Sequence, residues 1–149
     1  MFDHLIGLRL TRSDHPSIPK IQTLPATIGN LQFLSSLELA NNQLRDLPVA
    51  IGKLKNLTWL DLYNNQIQEF PNMIGDLTSL ENIDLSMNQL QTIREELGEE
   101  FNCFSSRNFK TLNLSGNPIA EFPDTIGNLR HKREGVYVAK HRFHEPLGI

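Results

Sequence analysis

Leucines recur along the chain in short bursts at spacings of three, two and five. Three blocks align without gaps: Leu34, Leu37, Leu39 and Leu44; Leu57, Leu60, Leu62 and Ile67; Leu80, Ile83, Leu85 and Leu90. A fourth runs Phe109, Leu112, Leu114 and Ile119. The two central apolar residues of each block alternate with polar ones, which predicts a short strand with one buried face. Asn42, Asn65, Asn88 and Asn117 follow each strand where the chain must turn. Asparagine is a poor helix and strand former and favours turns. A buried amide there can bond free backbone groups of its own turn and of the neighbouring coil, so the four asparagines are expected to form a ladder. The segments between blocks repeat too: Leu24-Pro25 to Leu31, Leu47-Pro48 to Leu54, Phe70-Pro71 to Leu77, and Phe122-Pro123 to Leu129. Each proline opens a return path, where a fixed φ and a missing N–H do little harm. The Ile and Leu that follow are expected to point back inside.

The step between strands carries further information. Leu37 to Leu60 and Leu60 to Ile83 are each 23 residues, whereas Leu8 to Leu37 and Ile83 to Leu112 are 29. Two coils therefore hold six-residue insertions, one around residues 11–20 and one around residues 99–108. In the second, Arg94 replaces the usual proline and residues 95–101 read as a longer convex helix. Val136-Tyr137-Val138 can serve as a last strand, with the tail to Ile149 as a cap, because a solenoid end must cover its open core. The expectation is one domain of about six coils: a degenerate N-terminal coil over 1–20, a repeat body over 21–129 and a C-terminal cap over 130–149.

The pattern L-x-x-L-x-L-x-x-N-x-L resembles the leucine-rich-repeat family. Its L-P-x-x-I-G-x-L links are similar to the 23-residue class of Ras-group scaffold proteins and many bacterial repeat proteins. The resemblance implies an α/β solenoid, a horseshoe with parallel strands on the concave face and short helices or turns outside. It also implies a non-enzymatic module that binds another protein through the concave face. Fold alone does not fix the partner. The alternatives are a bacterial secreted effector that uses the same surface on host proteins, a self-associating structural role and, less favoured, a cysteine-dependent enzyme.

Composition narrows these readings. Leucine (23) and asparagine (14) account for 37 of 149 residues, which the core and the ladder explain. No run of 18 apolar residues is present, so no membrane span is expected. The N-terminus lacks the basic and apolar regions of a signal peptide, and the one cysteine, Cys103, fits a reducing compartment. A cytoplasmic setting is expected, with translocation into a host cell as the alternative. The net charge of −3 argues against nucleic acid. That charge divides into +3 over residues 130–149 and −6 over the rest, so a basic cap adjoins an acidic body.

Candidate chemistry lies on the outward strand positions. Trp59, Asp61 and Tyr63 stand at i, i+2 and i+4, hence on one face. An exposed Trp and Tyr in mid-sheet are large, rigid and partly polar, the character of a binding hot spot. Glu38 and Asp84 flank Asp61 to make an acidic row suited to a basic partner surface, though acids here also serve solubility. Ser36 and Asn82 flank Trp59, and Met87 extends the apolar patch. No catalytic, cofactor or metal site is expected. His141 and His144 lack a third ligand. Cys103 lacks an oxyanion loop and an orienting acid. Asn56-Leu-Thr58 and Asn113-Leu-Ser115 match the glycosylation sequon by coincidence. A monomer is expected.

Overall fold

The computed structural model describes residues 4–11, 17–93 and 107–124. Within them, five three-residue strands form one parallel sheet in chain order: β1 (Gly7–Arg9), β2 (Ser36–Glu38), β3 (Trp59–Asp61), β4 (Asn82–Asp84) and β5 (Thr111–Asn113). The register pairs Leu8 with Leu37, Leu37 with Leu60, Leu60 with Ile83 and Ile83 with Leu112. Sequence steps of 29 and 23 residues thus become the same lateral step. The middle residue of each strand from β2 to β5 points into the core and is at most 1% exposed. Each such leucine removed from water contributes about 2 kcal/mol. The proposed helix over 95–101, the last strand at 136–138, the basic cap, Cys103, His141 and His144 lie outside the described residues.

Return paths form the opposite wall. Three short 3-10 helices, Ala26–Asn30, Val49–Lys53 and Asn72–Asp76, follow Pro25, Pro48 and Pro71, whose φ values are −70°, −64° and −71°. Proline sets that φ without cost. Its carbonyl then accepts the N–H of the residue three further on, Ile28, Ile51 or Ile74, at 3.0 Å each. Those isoleucines are buried against the strand leucines in one continuous core. The helices stack closely enough to dictate a glycine: a Cβ on Gly29 would stand 2.6 Å from the carbonyl oxygen of Ala50.

The turn after each strand is held by buried asparagine. Asn65 Oδ1 accepts the Leu44 N–H of the preceding coil at 3.0 Å. Its Nδ2 donates back to the Leu39 carbonyl of that coil at 3.0 Å and to its own Leu62 carbonyl at 3.1 Å. Asn88 repeats this with Ile67 N–H, Leu62 and Leu85, and Asn117 with Leu90 N–H, Leu85 and Leu114. Asn42 reaches the first coil through Ile21 N–H and the Leu10 carbonyl. One side chain thereby satisfies groups that an apolar turn would leave bare. The residue before each ladder asparagine is left-handed: Asn41, Asn64, Met87 and Gly116 have φ of 61°, 53°, 55° and 74°. Gly and Asn tolerate this conformation, and methionine does so at a cost.

Candidate functional site

The outward residues of the strands form three columns across the concave face. The first runs Gly7, Ser36, Trp59, Asn82 and Thr111; the second runs Arg9, Glu38, Asp61, Asp84 and Asn113. Backbone pairing continues beyond the strand ends, with Asn41 N–H on the Tyr63 carbonyl and Asn64 N–H on the Ser86 carbonyl. Tyr63 therefore lies in a third column, between Ala40 and Ser86.

Trp59 and Tyr63 are each 40% exposed, and Met87 is 49% exposed. Their lateral neighbours are small or short: Ser36 and Asn82 beside Trp59, Ala40 and Ser86 beside Tyr63. Ala40 and Ser86 are buried, so Tyr63 rises from a low floor. Met87 stands one residue past Ser86, and its sulfur lies over Gly116, where a Cβ would clash with it. Asn82 is engaged sideways, accepting the Thr111 hydroxyl at 2.8 Å.

The acidic row is not uniform. Glu38 is paired with Arg9, its Oε2 2.6 Å from Nε and its Oε1 3.2 Å from an outer guanidinium nitrogen. Asp84 has both oxygens engaged. Oδ1 accepts the Ser86 N–H and the Ser86 hydroxyl, and Oδ2 accepts the Asn113 amide at 3.1 Å. Asn113 accepts the N–H and hydroxyl of Ser115 in the same way. Asp61 accepts only the Tyr63 N–H, at 3.0 Å on Oδ1; its Oδ2 has no partner among the described residues. Burial holds the Asp61 carboxyl above its ordinary value. The Tyr63 N–H opposes that rise, the charges of Asp84 and Glu38 add to it, and Arg9 offsets a little. Sequence reasoning missed the Arg9–Glu38 pair and the serine hydroxyl on Asp84. The signal for the second was present as Asp-x-Ser on β4 against Asp-x-Tyr on β3. Among the described residues, no group of three His, Cys, Asp or Glu side chains could hold a metal ion, and no helix is long and apolar enough to cross a membrane.

The model of the leucine-rich repeat region matches residues 3–100, about two thirds of the chain. The chain belongs to the leucine-rich-repeat family. A single leucine-rich repeat is matched again over residues 108–129. Solved structures agree. A leucine-rich-repeat protein of Leptospira interrogans superposes with a TM-score of 0.76 at 32% identity, covering 97% of this chain and 33% of that one. An internalin of Listeria monocytogenes gives 0.60 at 27%, covering 83% and 32%. A chain of the Toll–Spätzle complex of Drosophila gives 0.67 at 24%, covering 83% and 16%, and speaks for the fold alone. This leucine-rich-repeat chain thus spans about a third of the length of the two bacterial chains. Among curated proteins, none matches it. Proteins of this family are in general protein-interaction modules and non-enzymatic.

Proposed function

We propose that the protein binds another protein through its concave face, with Trp59 and Tyr63 as anchors and Glu38, Asp61 and Asp84 turned toward a basic partner surface. The observation that carries this reading is the pair of exposed aromatic rings in the middle of a sheet whose other outward residues are small or polar. Aromatic side chains of this kind dominate the energetics of interfaces, because they bury large area with few rotatable bonds. Ser36, Asn82 and Met87 border them and supply the polar and apolar rim.

The experiment is affinity capture followed by titration with the captured partner, using Trp59→Ala and Tyr63→Ala. Each is expected to weaken binding by about tenfold or more while leaving the unfolding midpoint unchanged, since neither ring belongs to the core. Val49→Ala, at the 81% exposed residue on the opposite wall, is expected to bind as the parent does. Normal binding by both aromatic variants refutes the reading.

A second reading, an effector that engages host proteins with the same face, is supported by the likeness to two bacterial chains. It predicts a partner in eukaryotic lysate and none in bacterial lysate.

A further inference from the structure

We infer that the ground between Trp59 and Tyr63 receives a basic side chain of the partner, a guanidinium seated on Asp61. The inference rests on the concave-face reading above and adds the chemistry of the residue that is recognised. Three observations converge on β3. First, Asp61 alone of the three acids in its column keeps a carboxylate oxygen without a partner among the described residues, because Arg9 holds Glu38 and Ser86 and Asn113 hold Asp84. Second, the residue two places on, which supplies a hydroxyl to the side chain at this position on β4 and β5, is Tyr63 on β3, so an aromatic wall replaces the donor. Third, Trp59 stands two places before Asp61 on the same face, and both rings are exposed.

Residues two apart in extended chain are separated by about 7 Å, so Asp61 stands between the two ring-bearing positions on one face. A guanidinium suits this arrangement: its planar fork bonds a carboxylate while its faces stack on aromatic rings. An apolar or acidic side chain would leave Asp61 unanswered. The pinned Oδ1 also fixes the carboxylate before the partner arrives, so little freedom is lost on binding.

Trp59 is the one tryptophan of the chain, so its emission reports on the site directly. The test titrates the protein with acetyl-Gly-Arg-Gly-amide and with the same peptide carrying citrulline, which keeps the shape and loses the charge. The arginine peptide is expected to change the emission saturably in the millimolar range. The citrulline peptide and the Asp61→Asn variant are each expected to bind about tenfold more weakly, and Asp76→Asn, at an exposed acid on the opposite wall, within about twofold of the parent. Asparagine is tolerated at the column position of Asp61, as Asn113 shows by accepting the Ser115 N–H at 3.2 Å. Equal binding of the two peptides, undiminished binding by Asp61→Asn, or no saturable binding of the arginine peptide overturns the inference. If those arms fail while Trp59→Ala still loses the protein partner, the concave face remains the binding surface and only the recognised residue is wrong.

Discussion

At the scale of single residues, the molecule depends on a few polar side chains placed among leucines. Asn65 is the clearest case. Replaced by alanine, it would strand the Leu44 N–H in the core, while the Leu39 and Leu62 carbonyls would each lose one donor and keep the amide of Asn42 or Asn88. Asn65→Ala is therefore expected to cost about 1–3 kcal/mol, read as a lower urea midpoint; a loss near zero would mean that water replaces the amide. Asp61 acts in the opposite sense. Its folded pKa lies above the ordinary value of 3.8, so the folded state holds the proton more tightly than the unfolded chain does. That stabilisation is complete below the ordinary value and is lost as pH rises through the raised one. Ionised Asp61 is thus a burden at neutral pH, and Asp61→Asn should raise the melting temperature more at about pH 7 than at about pH 3.5. An equal shift at both pH values would contradict the assignment. In the proposed interface Asp61 would trade stability for binding, as residues at functional sites commonly do.

At the scale of elements, each of the first three coils joins a strand of only three residues to a 3-10 turn of only five. Such short pieces have no independent stability, and their packing against the next coil supplies it. A close point of that packing is Gly29 against the Ala50 carbonyl. Gly29→Ala is expected to destabilise by about 1–3 kcal/mol, whereas Gly7→Ala, where a Cβ meets nothing within 4 Å, should be neutral by thermal melting. Equal melting of the two variants would show that the stack yields. The strands themselves were legible in the sequence, because a buried leucine at every second position leaves one choice of inward face, and the prolines marked where the return paths begin. The sharing of hydrogen bonds within the acidic column was not legible. The Arg9–Glu38 pair depends on a β1–β2 register set across 29 residues. The difference between Asp84 and Asp61 depends on whether a serine hydroxyl folds back onto the carboxylate. The left-handed turn was half visible: the doublets Asn41-Asn42 and Asn64-Asn65 suit it, and Met87 hides it.

At the scale of the whole molecule, stacking turns a local pattern into a surface. Each coil contributes one short stretch of outward residues, and only the parallel register brings Glu38, Asp61 and Asp84 into one row and leaves Trp59 and Tyr63 standing among small neighbours. The core and the ladder are common to every described coil from the second onward, so the concave face carries differing side chains on a constant frame. The third coil departs most, with two aromatic rings around an under-bonded acid. This makes it the centre of the proposed interface. The most direct test of that claim places a photo-crosslinking amino acid at Tyr63 on the concave face, or at Val49 on the opposite wall, and irradiates each protein with its captured partner. The account predicts a crosslinked partner from position 63 and none from position 49; a crosslink from position 49 with none from position 63 would contradict it.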